Sequence, residues 1–171
     1  MRLSSAGRTT AYLDLAQLGL VRDLPATRDA GAHPRRAAAV ADLWALYRDV
    51  GAQDLVLSGR VHTAQDVQRY RDALGDTPLL VCRVSAGREQ LRERVLARTR
   101  GEGAVLAGDE LVGLPESEVD AVVDSSWAAQ ARLEAAAHED QAVEDLVLDT
   151  DDLPATVAAQ RLADTLDETD R

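Results

Sequence analysis

Four short runs rich in leucine and valine, separated by longer segments with helical periodicity, constrain the fold of this 171-residue chain most strongly. The runs are Ala11–Ala16, Asp54–Gly59, Leu79–Val84 and Asp145–Thr150. The last three are nearly continuous in apolar residues, which is typical of parallel strands covered on both faces. Because helical segments of about 10–20 residues separate them, they predict βαβ crossovers. The sequence therefore predicts one α/β domain over residues 1–171, with a mostly parallel sheet and helices on both faces.

The segment between the first two strands carries apolar residues that share one helical face. These residues are Val40, Leu43, Trp44, Tyr47 and Val50. His33 and Pro34 suit the first turn of this helix, and Gly51 suits its end. Thr63 is a suitable cap for a second helix, which Gly75 would end. Three further helices are predicted, over residues 88–100, 117–138 and 154–166.

The composition excludes several kinds of chemistry. All 19 basic residues are arginine, so there is no lysine for a Schiff base, for a phosphate-binding loop or for a Ser-Lys hydrolase. The single Cys82 cannot form an internal disulfide, and three scattered histidines give no zinc-ligand spacing. A net charge of −11 disfavours binding to nucleic acid. With no apolar run of about 20 residues and no hydrophobic leader, we expect a cytoplasmic protein without a membrane partner.

Charge is distributed unevenly along the chain. Residues 1–100 contain 16 arginines and 11 acidic residues, whereas residues 101–171 contain 3 arginines and 19 acidic residues. Six of the arginines fall within 18 residues: Arg83, Arg88, Arg92, Arg94, Arg98 and Arg100. Planar guanidinium groups in such an array suit the oxygens of a polyphosphate. The alternative is a solvated helix face on which the charges offset one another, and the sequence leaves both interpretations open.

Polar residues follow the first two strands at the points where these strands end. Asp14 and Gln17 follow the first run, and Ser58, Gly59 and Arg60 end the second. Ligands of parallel α/β sheets bind outside the carboxyl ends of the strands, so a carboxylate here is well placed for a substrate hydroxyl or for Mg²⁺. Ser58 with Arg60 could hold a phosphate or a second substrate. Alternatively, Asp14 caps a turn and Ser58 marks an ordinary strand-to-turn junction.

The order of these segments resembles the P-loop small-molecule kinase superfamily, of the adenylylsulfate-, gluconate- and shikimate-kinase kind, and is similar to actinobacterial ATP-binding proteins. The matching segments are Leu13-Asp14-Leu-Ala-Gln17-Leu-Gly19, Val56-Leu-Ser58-Gly59, the arginine-rich stretch from Cys82 to Arg98, and Leu148-Asp149-Thr150. They span nearly the whole chain, and their order carries the resemblance. The family's first strand and its Gly-x-x-x-x-Gly-Lys-Ser/Thr loop do not occur in this sequence. The resemblance therefore implies an N-terminally incomplete kinase-like domain whose usual central strand is missing.

The resemblance also implies roles for the candidate residues. The acceptor substrate would face Asp14 as the catalytic residue, together with Gln17, Ser58, Gly59 and Arg60. The nucleotide, ATP with Mg²⁺, would contact Arg94 and Arg98 in a lid-like segment of about 88–116, and Thr150 and Asp151. Two functions follow: a truncated or degenerate ATP-dependent phosphotransferase of small molecules, and a non-catalytic binding or interaction protein on the same scaffold. A sheet without its central strand would also favour self-association.

Overall fold

The computed structural model describes residues 7–18, 32–61, 63–102, 111–138 and 143–169 of the chain. Its strands are β1 (Thr10–Asp14), β2 (Asp54–Ser58), β3 (Cys82–Ser85) and β4 (Leu146–Asp149). Its helices are α1 (Ala32–Asp49), α2 (Ala64–Leu74), α3 (Arg88–Thr99), α4 (Glu116–His138) and α5 (Ala155–Thr169). The alternation of strands and helices confirms the α/β prediction. No helix in the described part of the chain has the length and apolar composition that crossing a bilayer requires.

The strands form two parallel pairs. One pair joins β1 to β2, with Thr10 opposite Asp54 and Asp14 opposite Ser58, and the other joins β3 to β4, with Cys82 opposite Leu146. Parallel pairing is as predicted, but the described strands form two two-stranded sheets and not one four-stranded sheet. The reason is that a continuous apolar run specifies a strand and its burial without specifying which neighbour it hydrogen-bonds.

The chain divides into two units, one comprising Met1–Val81 with Ala159–Arg171 and the other comprising Cys82–Ala158. The prediction of one domain over residues 1–171 stays a prediction. In the first unit, Leu13 and Leu15 pack with Val40 and Trp44 of α1 and with Tyr70 of α2. Val40 and Trp44 belong to the apolar helical face that the sequence predicts for α1, so the core forms on that face.

Trp44 is 4% exposed, and its indole N–H donates to Thr77 Oγ1 at 3.1 Å. The prediction that Val50 shares the buried face with Trp44 is wrong, because Val50 is 75% exposed. The chain leaves the helix after Asp49 and turns at Gly51, whose φ of +96° no other residue adopts without strain. Val50 therefore lies in the turn, between the end of the helix and Gly51, and outside the packed face.

The ends of α2 form as predicted. The Thr63 hydroxyl oxygen accepts the Asp66 N–H at 3.1 Å, and Gly75 ends the helix with a φ of +61°. The buried imidazole of His33, in the first turn of α1, is hydrogen-bonded through Nδ1 to the Tyr70 hydroxyl at 2.9 Å. This contact joins α1 to α2 through a polar pair inside the apolar core. Burial raises the pKa of Tyr70 above its ordinary value.

In the second unit, α3 packs on α4 through valines. Val119 and Val123 lie one turn apart on α4 and are fully buried against Val95 of α3. Trp127, a turn further along α4, is 38% exposed and lies outside this cluster. Among the described residues, this valine cluster therefore lies at the beginning of α4.

Candidate functional site

The carboxyl ends of β1 and β2 lie side by side, because the strands are parallel and Asp14 is in register with Ser58. The Leu15 N–H continues the ladder by donating to the Ser58 carbonyl oxygen at 2.7 Å. Gly59 follows immediately, so three of the predicted acceptor-site residues meet at one edge of this sheet. We call this edge, formed by Asp14, Ser58 and Gly59, the acceptor edge.

Asp14 has one engaged and one open carboxylate oxygen. Its Oδ1 accepts the Ala16 N–H at 2.9 Å, and its carbonyl oxygen accepts the Gln17 N–H at 3.0 Å, so Asp14 does form the turn that follows β1. Its Oδ2 has no hydrogen-bond partner, and its carboxylate has no ion pair, among the described residues. The half-buried side chain can therefore both shape the turn and accept a hydrogen bond from a ligand.

Gly59 fits closely against β1 at the acceptor edge. Its φ is +153°, and a Cβ built there would lie 2.6 Å from the Cβ of Leu15, so only glycine fits without displacement. Arg60 comes next and is exposed, with no hydrogen bond or ion pair to any residue that the structure describes. Gln17 is also exposed, at the turn after β1. Both predicted residues therefore flank the acceptor edge, outside the strands.

Tyr12 is a residue of this site that the sequence analysis does not identify. Its hydroxyl is hydrogen-bonded to Ser58 Oγ at 2.6 Å, and its side chain is 40% exposed. Side chains alternate along a strand, so Tyr12 shares a face with Asp14 while Leu13 points to the core. That alternation, Tyr-Leu-Asp with a buried leucine between two polar residues, is the signal in the sequence that could have identified Tyr12.

In the second unit, the predicted nucleotide-binding residues Arg94 and Thr150 bind each other. Arg94 Nη1 donates to Thr150 Oγ1 at 2.8 Å, and Nη2 donates to the Thr150 carbonyl oxygen at 2.6 Å. The Thr150 hydroxyl donates in turn to the Ser85 carbonyl oxygen at 2.8 Å, at the end of β3. Thr150 is 6% exposed. These bonds fasten the middle of α3 to the ends of β3 and β4.

Asp151 lies at the beginning of α3. Its Oδ1 accepts the N–H of Gly87, the residue before the first turn, at 2.6 Å. A carboxylate in this position interacts favourably with the helix dipole and disfavours a second anion there. Arg98 lies on the last turn of α3 and is exposed. Residues 103–110 of the predicted lid-like segment lie outside the described residues.

The other arginines of the run have acidic partners. These contacts are Arg83 with Glu144 at 2.7 Å, Arg88 with Asp124 at 2.7 Å, Arg92 with Asp120 at 3.0 Å and Arg100 with Glu102 at 2.6 Å. The hydrogen bond that Arg88 donates to Asp124 raises the pKa of Arg88. The acidic partners of Arg88 and Arg92 lie on α4, so the arginine-rich and acid-rich parts of the sequence offset each other here. This arrangement matches the solvated-face interpretation for Arg88 and Arg92, whereas the ion pair of Arg83 with Glu144 is largely buried.

In the described residues, two of the side chains predicted for ATP and Mg²⁺ are engaged within the protein, and the nucleotide site stays a prediction. Arg94 is engaged by Thr150, and the Asp151 carboxylate occupies the beginning of α3. Among the residues that the structure describes, no cluster of three or more His, Cys, Asp or Glu side chains is arranged to hold a metal ion. Burial also raises the pKa of Cys82, which keeps this thiol protonated at neutral pH. We derive no reaction step through a nucleotide.

A scan against protein-family models finds no match for this chain, and a search of the curated proteins finds none either. The kinase-like resemblance therefore stands on the short motifs and their order along the chain. The function has to be argued from the geometry of the acceptor edge.

Proposed function

We propose that these 171 residues are a non-catalytic binding protein on a kinase-like α/β scaffold, and that they bind a small hydroxyl-bearing molecule at the acceptor edge. The observation that carries the proposal is the open Oδ2 of Asp14 beside Ser58, where two parallel strands end. Ligands of parallel sheets bind outside this end of the strands. The proposal thus takes both the fold and the open carboxylate oxygen into account.

The donors and acceptors at the acceptor edge suit hydroxyl groups. A carboxylate oxygen accepts from a ligand hydroxyl, and the Ser58 hydroxyl can donate or accept. Arg60 flanks the edge with further donors. Polar groups of this kind, few in number and fixed in place, give specificity to small-molecule sites.

Phosphoryl transfer by these residues is disfavoured by the state of the second unit. The 171 residues contain no lysine and no phosphate-binding loop, and Arg94 is held by Thr150. Phosphoryl transfer depends on positioned positive charge around the transferred group. We therefore expect titration calorimetry with ATP and Mg²⁺ to detect no binding with a dissociation constant in the low micromolar range. A dissociation constant in that range would contradict this part of the proposal.

Binding at the acceptor edge is tested with a library of small hydroxyl-bearing molecules, screened by saturation-transfer NMR. Ligands found for the natural chain should bind at least tenfold more weakly to an Asp14→Asn variant, because the carboxylate is the stronger acceptor. The matched control is Asp42→Asn, which neutralises an exposed carboxylate on α1. Equal binding by both variants would contradict the proposal.

The second candidate is an active ATP-dependent phosphotransferase. One observation favours it: the open oxygen of Asp14 is what a base for an acceptor hydroxyl requires. The discriminating measurement is release of ADP from ATP in the presence of each ligand that the NMR screen identifies. Release that stops in the Asp14→Asn variant would establish this candidate over the first.

A further inference from the structure

We propose that Tyr12 belongs to the acceptor edge and that the ligand is a ring bearing a vicinal diol, with the diol on Asp14 and an apolar face of the ring on Tyr12. This inference rests on the proposed function and specifies its ligand. It is carried by the contact between Tyr12 and Ser58 and by the carboxylate of Asp14, which has no ion pair among the described residues.

The register of β1 and β2 brings Tyr12 close to the acceptor edge. Tyr12 is opposite Val56 and Asp14 is opposite Ser58, so the hydrogen bond between the Tyr12 and Ser58 hydroxyls runs diagonally across the strand pair toward its carboxyl end. Diagonal neighbours of this kind are within reach of an aromatic side chain. Tyr12 therefore leans toward the acceptor edge, and its 40% exposure leaves ring surface available to a ligand.

The Tyr12 and Ser58 hydroxyls and the Asp14 carboxylate together offer hydrogen-bond donors and acceptors to a ligand. Either hydroxyl of the Tyr12–Ser58 pair can be the donor, so the pair can present a donor or an acceptor according to what approaches. Beside it, Asp14 Oδ2 offers acceptor capacity only, since a carboxylate has no proton to donate. Two adjacent ligand hydroxyls match this set, one donating to Asp14 and the other exchanging a hydrogen bond with the hydroxyl pair.

The charge of Asp14 and the ring of Tyr12 favour a neutral ligand with an apolar face. Asp14 has no ion-pair partner in the described ranges, so a ligand carboxylate or phosphate placed directly against its carboxylate would be repelled, although the exposed Arg60 flanks the same edge. A neutral diol avoids that repulsion. The exposed aromatic ring adds an apolar surface, and the negative face of such a ring attracts the slightly positive C–H groups of a sugar or the edge of a base.

Two kinds of ligand supply this chemistry, a cyclic sugar and the ribose of a nucleoside, and the experiment separates them. Saturation-transfer NMR is carried out with methyl α-glucoside and with adenosine. Each is paired with a deoxy analogue that lacks a vicinal diol. These are the 3-deoxy analogue of the glucoside, whose remaining ring hydroxyls are not adjacent, and 2′-deoxyadenosine. We expect at least one diol to bind and its deoxy analogue to bind at least tenfold more weakly.

The variants test Tyr12 itself. Tyr12→Phe keeps the ring and removes one hydrogen bond, so affinity should fall about 3- to 10-fold. Tyr12→Ser also removes the ring and should lower affinity by more than tenfold. Tyr47→Phe, on α1, is the control and should bind as the natural chain does. Thermal unfolding followed by circular dichroism checks that each variant is folded.

Three results would overturn the inference: no binding of either diol, equal binding of the deoxy analogues, or unchanged binding by the folded Tyr12→Ser variant. The proposed function is judged separately, by Asp14→Asn. A ligand of another type that requires Asp14 but not Tyr12 would refute the inference and leave the proposed function standing. A diol that requires Tyr12 but not Asp14 would refute the proposed function and the placement of the diol on Asp14 with it.

Discussion

Replacing Thr150 by valine should destabilise the second unit by about 2 kcal/mol. The hydroxyl accepts from the Arg94 guanidinium at 2.8 Å and donates to the Ser85 carbonyl oxygen at 2.8 Å. A hydrogen bond to a charged group contributes about 1.5–3 kcal/mol and a neutral one about 0.5–1.5 kcal/mol. The loss is partly offset because Arg94 keeps its bond to the Thr150 carbonyl oxygen, and the added methyl group contributes about 0.8 kcal/mol of burial.

The assay is urea unfolding followed by circular dichroism, with Thr99→Val as the matched control. The Thr99 hydroxyl donates only to the Leu96 carbonyl oxygen within α3, so its replacement should change stability by less than about 0.5 kcal/mol. A double-mutant cycle with Arg94→Met should give a coupling energy of about 1–2 kcal/mol. If Thr150→Val costs no more than Thr99→Val, Arg94 and Thr150 do not fasten α3 in the way described.

Further predictions concern the glycine turn, a buried phenol and an exposed strand. Gly59→Ala should lower the free energy of unfolding by about 2–4 kcal/mol, through backbone strain and the clash with Leu15. Gly51→Ala, where a Cβ meets nothing within 4 Å, should lower it by about 1–2 kcal/mol, and urea unfolding compares the two variants. Because the pKa of Tyr70 is raised, the unfolded chain loses this proton first. Urea midpoints should therefore fall as the pH rises above about 10, and less so in Tyr70→Phe. Val84, 63% exposed on β3, should promote self-association that Val84→Arg reduces in sedimentation velocity.

Features that depend on neighbouring residues could be predicted from the sequence. The cap at Thr63 and the stop at Gly75 form within a single turn of helix, so the residue types determine them. The strand before α3 is less well predicted, because the run Leu79–Val84 becomes a strand only over Cys82–Ser85. Its beginning is set by the partner strand, which starts at Leu146. A hydrogen-bonding partner 64 positions away leaves no trace in a local pattern.

The same distinction applies to the candidate site. The acceptor edge could be predicted, because polar residues directly follow two apolar runs and parallel pairing brings their ends together. The pairing of Arg94 with Thr150 could not, since these residues lie 56 positions apart and each suits a phosphate ligand equally well. Only the fold shows that they satisfy each other.

The two tryptophans give the molecule a pair of optical reporters. Trp44 lies in the core of the first unit with its indole N–H bonded to Thr77, whereas Trp127 is partly hydrated on α4 of the second. An indole shielded from water emits at shorter wavelength than a hydrated one, so the blue side of the emission spectrum follows Trp44 and the red side follows Trp127. Urea profiles recorded at the two wavelengths coincide if the units unfold together and separate if they do not. The natural chain thus carries its own measure of cooperativity, without any label.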